Sequence, residues 1–277
     1  MSTIANDFID FYYCGHTLSE HNGIVGNING GDSYEPVNIG STLNFNTVEL
    51  KSLKKRKSIY ASYDEYVEKQ FSFFKNPCSG GGTYYSREEV AEILRWLNQP
   101  RYEKFVPVYS DTTWPAVHYY ASFNVQPITY LGNVIGFQLD MTTNAPFGYY
   151  DEVSVSGTNS VTINDISDEQ GFIFPVCTIT VHWDGVVALH NSMDQLAITT
   201  IDNCDYGEII TLDGERGLIT SSAAHPNLHD DFNYVFPRII NKMDSDGTNQ
   251  RTNRFTFDGS GNEISITYSP ISKFGLI

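Results

Sequence analysis

The stretch from Phe71 to Phe105, FSFFKNPCSGGGTYYSREEVAEILRWLNQPRYEKF, constrains the fold most. An aromatic strand runs into a Lys-Asn-Pro-Cys turn and a glycine-rich connector, then a helix, then a second short strand. The helix signal is specific. Ser86 precedes it as N-cap with Glu89 three residues on, the spacing of a capping box. Glu88 and Glu89 sit where the helix dipole favours negative charge. Val90, Ile93, Leu94 and Leu97 follow i, i+3, i+4, i+7 spacing and define an apolar stripe, with Trp96 off it and available to a neighbouring element. Asn98-Gln99-Pro100 ends the element, so a helix is predicted over about 86–98. The glycine run is not a phosphate cradle, because it lacks the GxxxxGK[ST] spacing.

Everything around this helix reads as strand. Residues 8–13 are aromatic-rich, 43–50 alternate apolar and polar, and 67–74 lead into the Lys-Asn-Pro-Cys turn. Residues 117–125 and 128–141 form a hairpin pair about a turn at Leu131-Gly132-Asn133. From Tyr150 onward, short strands alternate with Asp-Gly, Ser-Gly and Gly-Asn turns and no helical period, the pattern of a β-sandwich. The expected division is a first module of strands plus one helix over 1–149 and an all-β module over 150–277, the last residues being candidates to return to the first.

Aromatics are 14% of the 277 residues, with 18 Tyr and 17 Phe, a bias toward pleated, half-buried surfaces and protein interfaces. Net charge is −16. Residues 1–150 hold 11 basic and 15 acidic residues, a net of −4; residues 151–277 hold 6 and 18, a net of −12. Such a field repels phosphate backbones and argues against specific nucleic-acid binding. The basic run Lys51–Lys57 (KSLKKRK) stands against this background. It reads either as a solvated loop or as the tip of a hairpin arm that docks on an acidic neighbour. Cys14, Cys78, Cys177 and Cys204 are widely spaced, with no CxxC pair, and are expected as buried thiols acting as small hydrophobes. The first residues, MSTIANDFIDFYY, lack a basic segment followed by an apolar one, so no signal peptide is expected and synthesis in the cytoplasm is. No apolar run reaches the ~20 residues of a membrane helix.

Candidate chemistry is sparse. His182-Trp183-Asp184 pairs a base with a carboxylate but has no nucleophile motif beside it. His225 and His229 are four apart, yet Pro226 and Asn227 between them predict a loop and not a zinc-binding helix. Asp244–Asn249 (DSDGTN) departs from the calcium-loop pattern and is expected as a polar hairpin tip. No catalytic residue, metal or cofactor is expected.

Several motifs together resemble one family. FSFFKNPC (71–78), SREEVAEILRWLNQPRYEKF (86–105), ASFNV (121–125), NVIGFQLDMTTNAPFGYY (133–150), NYVFPRIIN (233–241) and ITYSPISK (266–273) are similar to segments of the distal tail (Dit) proteins of long-tailed bacteriophages. The resemblance implies a mainly β protein: a β-barrel-like module with one α-helix and an extended arm at about 43–66, then a galectin-like β-sandwich. It implies a homohexameric ring at the distal end of the virion tail, below the tail tube protein, with DNA passing through its lumen. Tail-tip or baseplate hub proteins and receptor-binding parts would be held below and around it. It puts Lys54, Lys55, Arg56 and Lys57 at a subunit contact, with Phe73, Phe74 and Trp96 as further interface candidates. The His-x-Asn-x-Arg and Trp-x-x-Glu pattern of sugar-binding galectins is missing from 150–277. Two readings compete: a carbohydrate-binding module for host attachment, for which Trp183 and Tyr206 are the exposed-aromatic candidates, and a cell-wall hydrolase.

Overall fold

The computed structural model describes residues 8–26, 43–50, 55–63, 66–79, 81–109, 116–194, 196–243, 247–259 and 261–273. The chain divides into two compact units, Met1–Tyr150 with Ser272–Ile277, and Asp151–Ile271.

The first unit holds strands β1 (Asp10–Tyr13), β2 (His16–Thr17), β3 (Gly23–Gly26), β4 (Leu43–Leu50), β5 (Lys55–Tyr63), β6 (Glu68–Lys75), β7 (Glu103–Val108), β8 (Val117–Tyr130), β9 (Asn133–Thr143) and β10 (Gly148–Tyr150), with helix α1 (Arg87–Leu97) between β6 and β7. Its main sheet runs β2-β1-β7-β8-β9-β6-β3. Laid flat, seven strands would hold the two edges about 29 Å apart. The edges are joined by only residues 18–22, which reach at most about 21 Å even when fully extended, and here include a tight 3-10 turn, Ser19–His21. The sheet therefore curls upon itself, which makes the unit barrel-like.

Its interior is largely aromatic. Phe8, Phe11, Phe71, Phe105 and Phe123 meet edge-on or tilted, with centroids 4.9 Å apart for Phe8–Phe71 and 5.5 Å for Phe105–Phe123. Aromatic pairs favour such offsets over face-to-face stacking. Gly136 lies opposite Phe74 across β6–β9, and a Cβ there would come within 2.3 Å of the Phe73 carbonyl oxygen. Only glycine allows that approach. Pro127 sits within β8 at a point beyond the β7 pairing, which ends at Ala121. No second neighbour there requires its missing N–H.

The Lys-Asn-Pro-Cys turn and the helix form one device. The Ser86 hydroxyl accepts from the Glu89 N–H, and Glu89 Oε2 accepts from the Ser86 N–H at 2.6 Å. The same carboxylate takes the Lys75 ammonium at 2.7 and 2.8 Å. Lys75 Nζ also donates to the Tyr84 carbonyl and lies over the Tyr85 ring. The Lys75 side chain is 2% exposed, and a buried charge needs such compensation. Asn76 Oδ1 accepts from the Cys78 N–H and closes the turn. Cys78 is consequently exposed and Cys14 partly so, which corrects the expectation of four buried thiols; Cys177 and Cys204 are buried.

The second unit holds β11 (Val153–Thr158), β12 (Ser160–Asn164), β13 (Gly171–Ile173), β14 (Val176–Thr180), β15 (Gly185–Asn191), β16 (Thr199–Cys204), β17 (Ile209–Asp213), β18 (Leu218–Ser221), the single helical turn α2 (Leu228–Asp231), β19 (Ile239–Met243), β20 (Asn249–Gln250), β21 (Thr252–Phe257) and β22 (Glu263–Tyr268); β23 (Ile271–Ser272) marks the return of the chain to the first unit and pairs with β10. One sheet is ordered β11-β22-β14-β17-β18 and another β12-β21-β15-β16, with β13-β19-β20 as a third, smaller one. Cys177, Ile179, Ile210, Leu212, Ile264 and Ile266 point inward from the first sheet and meet Val161, Ile163, Val187, Leu189, Ile201 and Phe255 from the second. Two antiparallel sheets sharing one core make a β-sandwich. Asn253 occupies a core position at 0% exposure. Its amide bridges the Asn191 side chain and both backbone groups of Ile240, so the polar group is fully used.

Candidate assembly surfaces

Among the described residues, β4 and β5 pair only with each other, as a ribbon with a bulge between Asn46 and Thr47. Every described side chain on β4 is exposed, as are those of β5 through Ser62. Phe45, Val48, Ile59 and Tyr60 stand 62%, 47%, 65% and 57% exposed. An isolated two-stranded hairpin is marginal in water, and large apolar side chains cluster on free surfaces mainly where something docks. Lys55, Arg56 and Lys57 lie along β5 itself, with Arg56 opposite Glu49. The basic run is thus part strand, and not a loop throughout. Lys54 lies outside the described residues.

The aromatic interface candidates divide differently. Phe73 is fully buried and packs with its ring on Phe137 at 5.3 Å. Trp96 is 6% exposed, donates from Nε1 to the Tyr13 carbonyl at 2.6 Å and stacks on Phe11. Both serve the interior of one chain and offer no surface to a neighbour, which corrects their place among contact residues. Phe74 is half-buried over Gly26 and Gly136.

The candidate chemical motifs also come apart. Asp184 Oδ1 accepts from the Tyr206 N–H and so orients a turn, not His182. The His182 ring faces Glu263 at 3.6 Å and Tyr206 at a centroid distance of 6.1 Å. Trp183 covers Gly259, where a Cβ would fall 1.8 Å from its ring. The loop expected at His225–His229 runs into α2 at Leu228, and His229 is exposed. Asp244, Ser245 and Asp246 lie outside the described residues, between the paired strands β19 and β20. Among the described residues, no group of three or more His, Cys, Asp or Glu is arranged to hold a metal ion. None of their helices is long and apolar enough to cross a membrane.

Sequence spacing did not reveal the most elaborate polar cluster. His225 Nδ1 meets Glu208 Oε1 at 2.8 Å and its Nε2 meets Asp231 Oδ2 at 3.0 Å. The imidazole is 4% exposed and Glu208 1%. Ser221 donates to Glu208 and Asn203 to Asp231. Burial alone would lower the imidazole, but its hydrogen bonds to both carboxylates outweigh that and hold His225 above the ordinary histidine value. Burial would raise Glu208; hydrogen bonds from Ser221 and His225 win and hold it below the usual carboxylate range. With a carboxylate at each nitrogen, the arrangement favours the protonated, doubly donating form of the ring. It ties α2, through Asp231, to the Glu208 carboxylate ahead of β17 and, through Ser221, to β18.

The first unit is a curled sheet with a helix and an exposed two-stranded ribbon, and the second is a sandwich. The family model described as "phage tail protein N-terminal domain" matches residues 6–145, and that described as "phage tail C-terminal domain" matches 147–268. The chain belongs to this family of phage tail proteins. Its fold is similar to that of the Dit protein (gp 19.1) of SPP1, described as a paradigm of the hub adsorption apparatus in phages that infect Gram-positive hosts. The TM-score is 0.61 at 10% identity, over 94% of this chain and 98% of that one. No curated protein sequence matches.

Proposed function

We propose that this chain is the distal tail hub of a phage, a structural protein that forms a homohexameric ring joining the tail tube protein above to the tail-tip or baseplate proteins below. Receptor-binding parts are anchored around it, and DNA passes through the lumen without sequence-specific contact. The role involves no catalysis and no cofactor. The observation that carries this reading is the match of both halves to phage tail families, together with a fold likeness to a hub protein over nearly the whole chain. The exposed β4–β5 ribbon supports it, since its apolar and basic side chains suit an acidic neighbouring subunit. An acidic lumen would let DNA slide without sticking.

Light scattering with negative-stain imaging of the same fraction tests the proposal. Six copies of the 31.2 kDa chain in a ring with a central hole are expected. A species that remains monomeric when concentrated, and that also fails to assemble on purified tail tubes, overturns it.

A further inference from the structure

The small β13-β19-β20 sheet ends on an open edge. Among the described residues, β13 pairs with β19 alone. Asn253 takes up both main-chain groups of Ile240: its Oδ1 accepts from the Ile240 N–H at 2.8 Å, and its Nδ2 donates to the Ile240 carbonyl at 2.9 Å. Ile240 therefore turns its polar groups away from β13. Opposed residues of an antiparallel pair exchange both hydrogen bonds or neither, in alternation. Phe172, opposite Ile240, is then the unbonded member of the ladder, between the pairs Gly171–Asn241 and Ile173–Ile239. Its N–H and C=O point outward, and among the described residues no loop backbone meets them. The side chains add to this edge. Ile173 packs on the core, so Phe172 and Phe174 stand on the opposite face, 56% and 43% exposed. The Arg238 guanidinium lies 4.3 Å from the Phe172 ring centroid and is paired with Asp194. Natural edge strands are commonly blunted by charged side chains; the sequence from Gly171 to Phe174, GFIF, has none.

We infer that β13 takes up an extended segment of another tail protein as an added strand, one with alternating apolar and basic side chains. The inference rests on the hub reading for the source of that segment. The Phe172 main chain supplies one N–H and one C=O to the incoming strand, and the two phenyl rings seat its apolar side chains. Exposed apolar clusters of this kind mark surfaces that partners cover. Charge selects the partner. Residues 151–277 carry a net of −12, and Asp168 and Glu169 lead directly into the strand. A second copy would bring the same charge against it, so self-pairing of this edge is disfavoured and a cationic segment is favoured. One short edge makes a weak contact; several copies in one ring would hold a multivalent partner firmly by avidity.

The probe is an eight-residue peptide of alternating Lys and Val, titrated into the full chain. The same peptide N-methylated at every residue, which cannot donate to a strand, and a Glu-Val peptide are the contrasts. Hydrogen exchange read by mass spectrometry follows the amides of 170–174. The Lys-Val peptide is expected to bind with a Kd on the order of 1 mM and to slow exchange in that segment, the N-methylated peptide to bind about tenfold more weakly, and the Glu-Val peptide not to bind. Phe172→Lys and Phe172→Ser, at an exposed position, are expected to keep the parent's melting curve and weaken binding about tenfold. Absence of binding up to about 10 mM overturns the inference. So does equal binding of the N-methylated peptide, or binding that both variants leave unchanged. Self-association without peptide that the Phe172 variants abolish would make a second copy the occupant and overturn it too. Light scattering of the same samples reports ring formation separately. A ring that forms while the peptide fails to bind sinks this inference alone, and peptide binding by a chain that forms no ring counts against the hub reading alone.

Discussion

At the scale of single residues, two buried charges organise this chain, and both make measurable predictions. Lys75→Met leaves the Glu89 carboxylate facing a ring and a backbone with no cation, and is expected to cost about 3 kcal/mol of unfolding free energy. Ser86→Ala, which removes one capping bond, is expected to cost about 1 kcal/mol. Adding Glu89→Gln to Lys75→Met should recover part of the loss, since the two share one interaction; purely additive effects in urea titrations would refute the coupling. His225 titrates in the opposite sense to a depressed carboxylate. Its folded value lies above 6.5, so its contribution is complete below pH 6.5 and is lost as pH rises through the raised value. Glu208, held below 4.5, contributes above pH 4.5 and fails as pH falls. The second unit is therefore expected to be most stable between these limits. His225→Gln should remove about 3 kcal/mol near pH 6 and flatten the alkaline limb. A variant whose stability declines above neutrality as the parent's does would reject the clamp. Neither cluster is legible in sequence. Lys75 and Glu89 are 14 positions apart across a turn, and Glu208 and His225 are 17 apart. No periodicity links such pairs; only the folded backbone does.

At the scale of elements, local rules predicted what local forces determine. The capping box, the β8–β9 hairpin and strand β4 all follow from spacing and turn chemistry. The helix face was only partly legible. Its buried side is Ile93, Trp96 and Leu97, with Val90 and Leu94 half-buried. The face is turned toward Trp96 because the indole finds Phe11 and the Tyr13 carbonyl, a tertiary contact that outranks the stripe. α2 escaped because one turn is too short to show a period. The ribbon is the element whose role is most exposed to test. The described side chains from Asn44 to Glu49 and from Lys55 to Ser62 are exposed, so replacing residues 44–62 by a short turn is expected to shift the melting temperature of the monomeric fold little while abolishing the ring. Lys55→Glu with Arg56→Glu and Lys57→Glu should weaken assembly most at low salt, where exposed charges act furthest. A ribbon deletion that still assembles would move the subunit contact elsewhere.

At the scale of the whole molecule, the decisive feature is a chain that leaves one unit at Asp151 and rejoins it at Ser272. The sandwich is in effect an insertion, and its ends are neighbours: Val153 pairs with Tyr268 across β11 and β22, about 5 Å apart in the hydrogen-bonding direction. The two hydrophobic cores share no residue. Only the two-residue β23 spans the division, and separate cores allow each unit to melt alone. Calorimetry is therefore expected to resolve two transitions, and residues 151–271 expressed alone should fold with the higher-pH sensitivity set by His225. The reverse excision bears more on function. Replacing 152–270 by a linker of roughly four residues, a common loop length, keeps the curled sheet, α1 and the ribbon intact. If ring formation resides in the first unit, this shortened chain assembles as the full chain does. A shortened chain that folds but stays monomeric would mean that the sandwich supplies subunit contacts, and the assembly determinants would then have to be sought on its surface and not on the β4–β5 ribbon.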